Sequence, residues 1–242
     1  MAEPYFLVST PEFPKEQIQQ CWDAGCNVRK IWNEGGLYHV YGTTESARGQ
    51  QWQTRHSSKE FFEGAKELID QNYRLLSLAV KDGEWFSVYE EQDPDAWVQF
   101  KAFVWDEMDL DNVKPLWNEG YYITDAAYDR EQYALLLAAN PKIERQAGLF
   151  WKTWPQEAVE NYQAEGYAIS KIMFTAQSVF ITMDKYADLE SVVYVREDAE
   201  EFPTAKTEEA LDQGYGLISI CRLQGVWFNT LIRRNEIGPT GT

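Results

Sequence analysis

A segment of about 47 residues recurs five times along this chain of 242 residues, and this repetition limits the possible folds more than any other feature. Each copy contains one glycine or asparagine, which we call the anchor. The anchors are Gly25, Asn72, Gly120, Gly166 and Gly214, and they lie 47, 48, 46 and 48 residues apart. Single repeats cannot bury their own apolar faces, so the copies are expected to pack against one another in one structure.

Each repeat begins with a predicted amphipathic helix. Residues seven, four and three positions before the anchor are mostly apolar, as with Ile18, Cys21 and Trp22 in the first repeat, and this spacing marks one face of a helix. A proline eleven positions before the anchor, such as Pro14 or Pro155, suits the first helical turn. The anchor itself suits the left-handed residue that ends a helix.

After the anchor, the pattern changes to one typical of strands, and we predict a β-hairpin in every repeat. Large apolar residues recur thirteen positions after the anchor, namely Tyr38, Trp85, Tyr133, Val179 and Trp227. A third strand is predicted around residues 51–54, 98–103, 147–151 and 192–195. The fifth repeat lacks a third strand, whereas residues 4–10 resemble one, so we expect the N-terminal strand to complete the last repeat.

The predicted fold class is α+β, as a closed, propeller-like fivefold ring of repeats with one helix and three antiparallel strands each. Closure removes the exposed sheet edges that an open array leaves at its ends. The predicted repeats span about residues 11–59, 60–106, 107–153, 154–198 and 199–234, with strand 4–10 added to the last. They form one domain over residues 1–234, and residues 235–242 are predicted to be a flexible tail.

Charge and composition exclude several classes of partner. The 39 acidic residues against 22 basic ones give a net charge of −17, which is the wrong sign for a nucleic-acid partner. The chain has no long apolar run and no secretory signal at its N-terminus, so no membrane association is expected. Three cysteines, an odd number, favour a reducing, cytoplasmic location. No histidine is spaced to complete a metal site with Cys21 and Cys26, so neither a metal nor a cofactor is predicted.

Three stretches carry a resemblance to a known family: Trp117-Asn-Glu-Gly120-Tyr-Tyr-Ile-Thr124, Phe13-Pro14 with Trp22-Asp-Ala-Gly25, and Trp154-Pro155 with Gly166-Tyr-Ala-Ile-Ser170. They resemble the repeat domain of unknown function that follows the catalytic domain in plant casein-kinase-I-like kinases. The chain has no kinase signature, so the resemblance implies the accessory module alone. At the level of fold, five units of helix and strand are also similar to the penteins, which include arginine-modifying hydrolases.

The leading functional hypothesis is a non-enzymatic interaction or scaffold module that binds a protein partner. Tryptophans that recur in phase with the repeat are predicted to pack between units. Tryptophans outside this phase are candidates for an aromatic contact surface, and these are Trp32, Trp52, Trp97, Trp105 and Trp151.

Two alternatives remain open. The first is a pentein-like hydrolase acting on a small cationic substrate with Cys221 as the nucleophile, although the equivalent positions in the other repeats are Trp32, Ala79, Ala127 and Met173, which favour a core site. The second is a sensor that binds a small polar ligand at the ring axis. Its candidate residues lie five positions after each anchor, and they are Lys30, Ser77, Asp125, Lys171 and Ser219. These five residues either line the axis or point to solvent.

Overall fold

One module of four elements occurs five times in the computed structural model, which describes residues 4–44, 49–92, 100–105, 110–129, 132–175, 178–223 and 225–234. Each module contains an outer strand, a helix and the two strands of a hairpin. The elements in chain order are β1 (Tyr5–Thr10), α1 (Lys15–Asp23), β2 (Asn27–Glu34), β3 (Leu37–Thr43); β4 (Gln50–Arg55), α2 (Ser58–Ile69), β5 (Tyr73–Lys81), β6 (Glu84–Glu91); β7 (Phe100–Trp105), α3 (Lys114–Asn118), β8 (Tyr121–Asp129), β9 (Gln132–Ala139); β10 (Ile143–Trp151), α4 (Gln156–Ala164), β11 (Ala168–Phe174), β12 (Val179–Tyr186); β13 (Leu189–Asp198), α5 (Thr204–Asp212), β14 (Gly216–Leu223) and β15 (Val226–Arg234).

The five modules share one sheet topology. The second hairpin strand is central in every sheet, with the outer strand on one side and the first hairpin strand on the other, in the orders β1-β3-β2, β4-β6-β5, β7-β9-β8, β10-β12-β11 and β13-β15-β14. The α+β class and the repeat of a helix with three antiparallel strands are therefore confirmed. Residues 235–242, predicted to be a flexible tail, lie outside the described residues.

The prediction that the N-terminal strand completes the fifth repeat is wrong. β1 pairs with β3 of its own module, from Tyr5 opposite Thr43 to Thr10 opposite Tyr38. The central strand β15 already has β13 and β14 as its two neighbours, so it offers no ladder to β1. Each predicted third strand belongs to the module that follows it, because the strand leads directly into the next helix and pairs with the hairpin beyond that helix.

The anchors end the helices as predicted. All five have a positive φ, from 66° at Asn72 to 89° at Gly166, which is the left-handed region that glycine adopts without steric cost. Pro14, Pro155 and Pro203 lie one residue before the first helical residue, at the N-cap position. Residues seven positions before the anchor are all buried, and they are Ile18, Ala65, Val113, Val159 and Thr207.

A β-bulge follows the anchor at the same place in four modules. The register of the first hairpin strand shifts between Val28 and Lys30, between Leu75 and Ser77, between Ile169 and Lys171, and between Leu217 and Ser219. A bulge inserts one residue and changes the direction of the side chains that follow it. The polar residue five positions after the anchor is the residue that comes directly after this bulge.

The chain divides into two compact units. Among the described residues, the first unit contains those between 4 and 113 and between 123 and 139, and the second contains those between 114 and 122 and between 140 and 234. In the first unit, buried clusters form around residues such as Val40, Phe86 and Trp85. In the second unit, Ile172 and Ile181 belong to one such cluster. The single ring domain over residues 1–234 stays a prediction.

Candidate functional site

The five polar residues that lie five positions after the anchors are directed inward. Ser77, Asp125, Lys171 and Ser219 are buried, and the side chain of Lys30 is only 19% exposed. The interpretation that these residues point to solvent is therefore wrong. Placing a charged or hydroxyl group in the interior is costly unless another polar group compensates it, so the partners of these side chains decide what the positions do.

In the first compact unit, three of these residues form one connected cluster. Asp125 Oδ2 accepts hydrogen bonds from Ser77 Oγ and from the backbone N–H of Leu78, both at 3.0 Å. Lys30 Nζ lies 3.3 Å from the same oxygen. Ser77 Oγ also accepts a hydrogen bond of 3.0 Å from the backbone N–H of Ile31. Since Lys30, Ser77 and Asp125 come from modules one, two and three, the cluster joins three successive modules.

This cluster has a structural role that follows from sheet topology. β2 and β5 are edge strands of their sheets, and edge strands leave backbone N–H groups without a ladder partner. The hydroxyl of Ser77 satisfies the N–H of Ile31 on β2, and the carboxylate of Asp125 satisfies the N–H of Leu78 on β5. The polar residue of one module thus caps the strand edge of the module before it.

The equivalent pair in the second compact unit is arranged differently. Lys171 lies on β11 and Ser219 on the neighbouring strand β14, and both are buried. Ser219 Oγ has no hydrogen-bond partner among the described residues, whereas its equivalent Ser77 Oγ bonds to both neighbouring modules. The pattern of polar capping is therefore incomplete at Ser219.

Of the predicted surface tryptophans whose side chains the structure describes, Trp151 alone is exposed. Trp32 is fully buried, so its assignment to a contact surface is wrong. Trp52 is half-buried and packs against Phe13, with ring centroids 5.5 Å apart. Trp97 lies outside the described residues, and Trp105 ends β7 with a side chain that the structure does not describe. Trp151 is 52% exposed, as predicted.

Two further large apolar residues of the second compact unit are exposed. Phe150, directly before Trp151, is 40% exposed, and we call these two residues the β10 aromatic pair. Tyr194 on β13 is 41% exposed, but its hydroxyl bonds to the Gln163 side chain and the Ile169 backbone of the preceding module. Tyr194 therefore ties two modules together. Sequence reasoning missed Phe150 because alternation predicts that one of two consecutive strand residues is buried, whereas both residues at this end of β10 are exposed.

Both residues of the β10 aromatic pair lie on an edge strand of their sheet. β10 is an outer strand that pairs with β12 alone among the described strands, with Phe150 opposite Phe180 and Trp151 opposite Val179. Phe180 and Val179 are buried, so the pair lies at the rim of a well-packed sheet. Exposed aromatic side chains on a rigid edge are typical of protein contact sites.

The candidate nucleophile Cys221 is a core residue. It is fully buried in an apolar cluster with Ile172 and Ile181. The four residues at equivalent positions, Trp32, Ala79, Ala127 and Met173, are buried too, as their apolar character predicted. The thiols of Cys21 and Cys26 are also buried and free, and burial raises the pKa of Cys21 to about 12. A thiol with so high a pKa is a poor nucleophile at neutral pH.

The two histidines differ in environment, and both belong to the first compact unit. His39 is fully buried between two strands. Its Nε2 donates to the carbonyl oxygen of Glu34 at 3.2 Å, and its Nδ1 accepts from the Ser9 hydroxyl at 2.7 Å. Burial lowers the pKa of His39 to about 4, so the ring is neutral at physiological pH. His56 is exposed between β4 and α2.

No group of three or more histidine, cysteine or acidic side chains among the described residues is arranged to hold a metal ion. None of the described helices is both long and apolar enough to cross a bilayer. The sequence matches no model of a known protein family, and no curated protein matches it.

Proposed function

We propose that this protein is a non-enzymatic interaction module that binds a protein partner through the β10 aromatic pair. The observation that carries the proposal is the exposure of Trp151 and Phe150, at 52% and 40%, on the outer edge of a packed sheet. Transferring such side chains from water into an interface is favourable, and tryptophan is enriched among the residues that dominate binding energy.

The partner's contact face is expected to carry positive charge. With a net charge of −17, this protein repels acidic partners and attracts basic ones over distances of several ångströms. Such attraction raises the rate of association more than the final affinity, and salt weakens it. The partner we propose is thus a protein with an apolar pocket for Trp151 surrounded by lysine or arginine, in the cytoplasm.

The test is affinity capture with three forms of the protein: wild type, Trp151→Ala, and Glu157→Ala as a control that changes an exposed residue of α4 in the same module. A protein that binds as proposed is captured by wild type and by Glu157→Ala, and it is not captured by Trp151→Ala. Thermal melting of all three forms establishes that the variants are folded. Capture of the same proteins in the same amounts by all three forms would overturn the proposal.

The hydrolase alternative is tested at Cys221. Its burial in an apolar cluster argues for a structural thiol, since a catalytic thiolate needs access to substrate and a nearby positive group. We expect iodoacetamide to leave Cys221 unlabelled in the native protein and to label it after denaturation, as measured by peptide mass spectrometry. Rapid labelling of native protein near pH 7 would favour the hydrolase.

The closed ring and the accessory role implied by the plant kinase repeats are part of the same proposal. Support for closure comes from the constant repeat length and from the packing of successive first hairpin strands, β2 against β5 and β11 against β14. Hydrogen exchange tests closure. In a ring, Leu231→Ala in module five lowers amide protection in module one, its neighbour across the termini. In an open array, module one keeps its protection.

The sensor alternative receives less support. A ligand site at the polar positions needs groups that remain available, and Lys30, Ser77 and Asp125 are already bonded to one another. Their mutual contacts favour a role in joining modules.

A further inference from the structure

The first compact unit contains a surface cleft that the interaction proposal does not use. Its volume is about 440 Å³, within the range of sites for small molecules. The β5–β6 turn forms one side with Lys81, Asp82, Gly83 and Glu84. The other lining residues are Phe13, Tyr38 and His56.

The cleft combines an aromatic surface with negative charge. The rings of Phe13 and Tyr38 meet edge to face with their centroids 6.1 Å apart. Glu84 has no ion-pair partner among the described residues. Burial, and to a smaller extent the negative charges of Glu84 and Asp82, together raise the pKa of Tyr38 to about 12. Both carboxylates are therefore close enough to the phenol to affect it.

Lys81 does not neutralise Glu84. The lining carries the ammonium of Lys81 and the carboxylates of Asp82 and Glu84. The ammonium of Lys81 donates hydrogen bonds to the carbonyl oxygens of Pro11 at 2.9 Å and Gly36 at 3.2 Å. The carboxylate of Glu84 therefore stays without a counter-ion among the described residues, and it matches a ligand with a single positive charge.

Lys81 already contacts the Tyr38 ring with its ammonium, which leaves Phe13 as the aromatic contact for a ligand. The nitrogen of Lys81 lies 5.1 Å from the centroid of the Tyr38 ring, within the distance at which an aromatic face attracts a cation. The described acidic and histidine side chains do not converge closely enough to bind a metal ion. An organic cation is larger, and it can contact a separated carboxylate and an aromatic ring at the same time.

From this geometry we infer that the cleft between Phe13, Tyr38 and the β5–β6 turn binds an organic monocation, an ammonium or guanidinium group, with Glu84 as its counter-ion. The apolar part of the ligand lies against Phe13. This cationic group belongs either to a lysine or arginine side chain of another molecule or to a small free amine. Both kinds of ligand offer the same positive charge and the same contact with an aromatic ring.

The test is an NMR titration that follows the ring signals of Tyr38 and His56. The probes are N-acetyl-arginine amide, N-acetyl-lysine amide and butylamine, with the neutral N-acetyl-citrulline amide as a control for shape. We expect saturable shifts with at least one cationic probe, with a dissociation constant on the order of millimolar, and none with citrulline. Saturation by butylamine at an equal or lower concentration than the blocked amino acids indicates a free amine, and the reverse indicates a side chain.

Variants separate a specific site from general attraction to an acidic protein. Glu84→Gln is expected to weaken binding at least fivefold, whereas Glu16→Gln, an exposed change on α1, leaves it unchanged. The inference would be overturned if Glu84→Gln and Glu16→Gln weakened binding equally. Shifts with the citrulline probe as large as those with the cationic probes would also overturn it. Trp151→Ala is expected to bind the probes normally, so failure at the cleft and failure of the interaction proposal are distinguishable.

Discussion

Acidification is expected to destabilise the protein through His39. Free imidazole has a pKa of 6.5, and burial lowers that of His39 to about 4, so the unfolded chain takes up a proton at a pH where the folded chain does not. The stabilisation is therefore present above pH 6.5 and is lost as the pH falls toward 4. Integrating the difference in bound protons gives a loss of about 2 kcal/mol in the free energy of unfolding between pH 7 and pH 5, and about 3 kcal/mol in full.

The assay is urea denaturation at pH 7 and pH 5 for three proteins. His39→Gln keeps one donor and one acceptor at the position and removes the titration, and His56→Gln removes an exposed histidine as a control. The aspartate and glutamate side chains make the same contribution to the pH dependence of stability in all three proteins. We expect the pH-dependent loss in His39→Gln to be about 2 kcal/mol smaller than in wild type, with His56→Gln resembling wild type. Equal losses in wild type and His39→Gln would refute the assignment of a buried, neutral imidazole.

Three other changes test the fold. Asp125→Asn leaves the buried ammonium of Lys30 without its counter-ion and is expected to cost about 3 kcal/mol by urea denaturation, while the exposed control Asp82→Asn changes stability by less than about 0.5 kcal/mol. Gly120→Ala meets no neighbouring atom within 4 Å but forces alanine to φ +82°, so thermal melting should show a loss of about 1–2 kcal/mol from backbone strain alone. Deleting Tyr5–Thr10 is expected to remove amide protection from β3, because β1 pairs with β3; full protection of β3 in the truncated protein would contradict this pairing.

The elements of this fold were accessible from sequence because each depends on local chemistry. Glycine or asparagine at the anchor marks a left-handed residue, and all five anchors have that conformation. The helix stripe, the hairpins and the strands were predicted for the same reason, since period and turn residues act within a few positions. Gly35-Gly36 follows this rule, with positive φ at both residues of the β2–β3 turn.

Strand pairing was not accessible in the same way. A strand between two repeats has the same local sequence signals whether it joins the hairpin before it or the one after it. Residues 50–55 look like the end of the first repeat, yet they pair with β6 of the second module. That choice depends on which hairpin edge the helix brings within reach, which is a tertiary property.

The candidate sites show a similar division. The position five residues after the anchor was identified by its polarity, but the burial of Ser77 and Lys171 depends on a bulge that periodicity does not reveal. Trp32 was placed on the surface because it lacks tryptophan counterparts in the other repeats. The counterparts are small or apolar instead, as with Ala79 and Met173, and this was the signal for a core position.

The β10 aromatic pair carries the functional account, and affinity for a captured partner tests it most directly. Isothermal titration of that partner is predicted to show binding at least tenfold weaker for Trp151→Ala than for wild type, since an exposed tryptophan that fills a pocket contributes about 2 kcal/mol or more. The Glu157→Ala control is predicted to bind like wild type. A dissociation constant for Trp151→Ala within twofold of the wild-type value would contradict the account, as would the failure of capture to yield any protein that depends on Trp151.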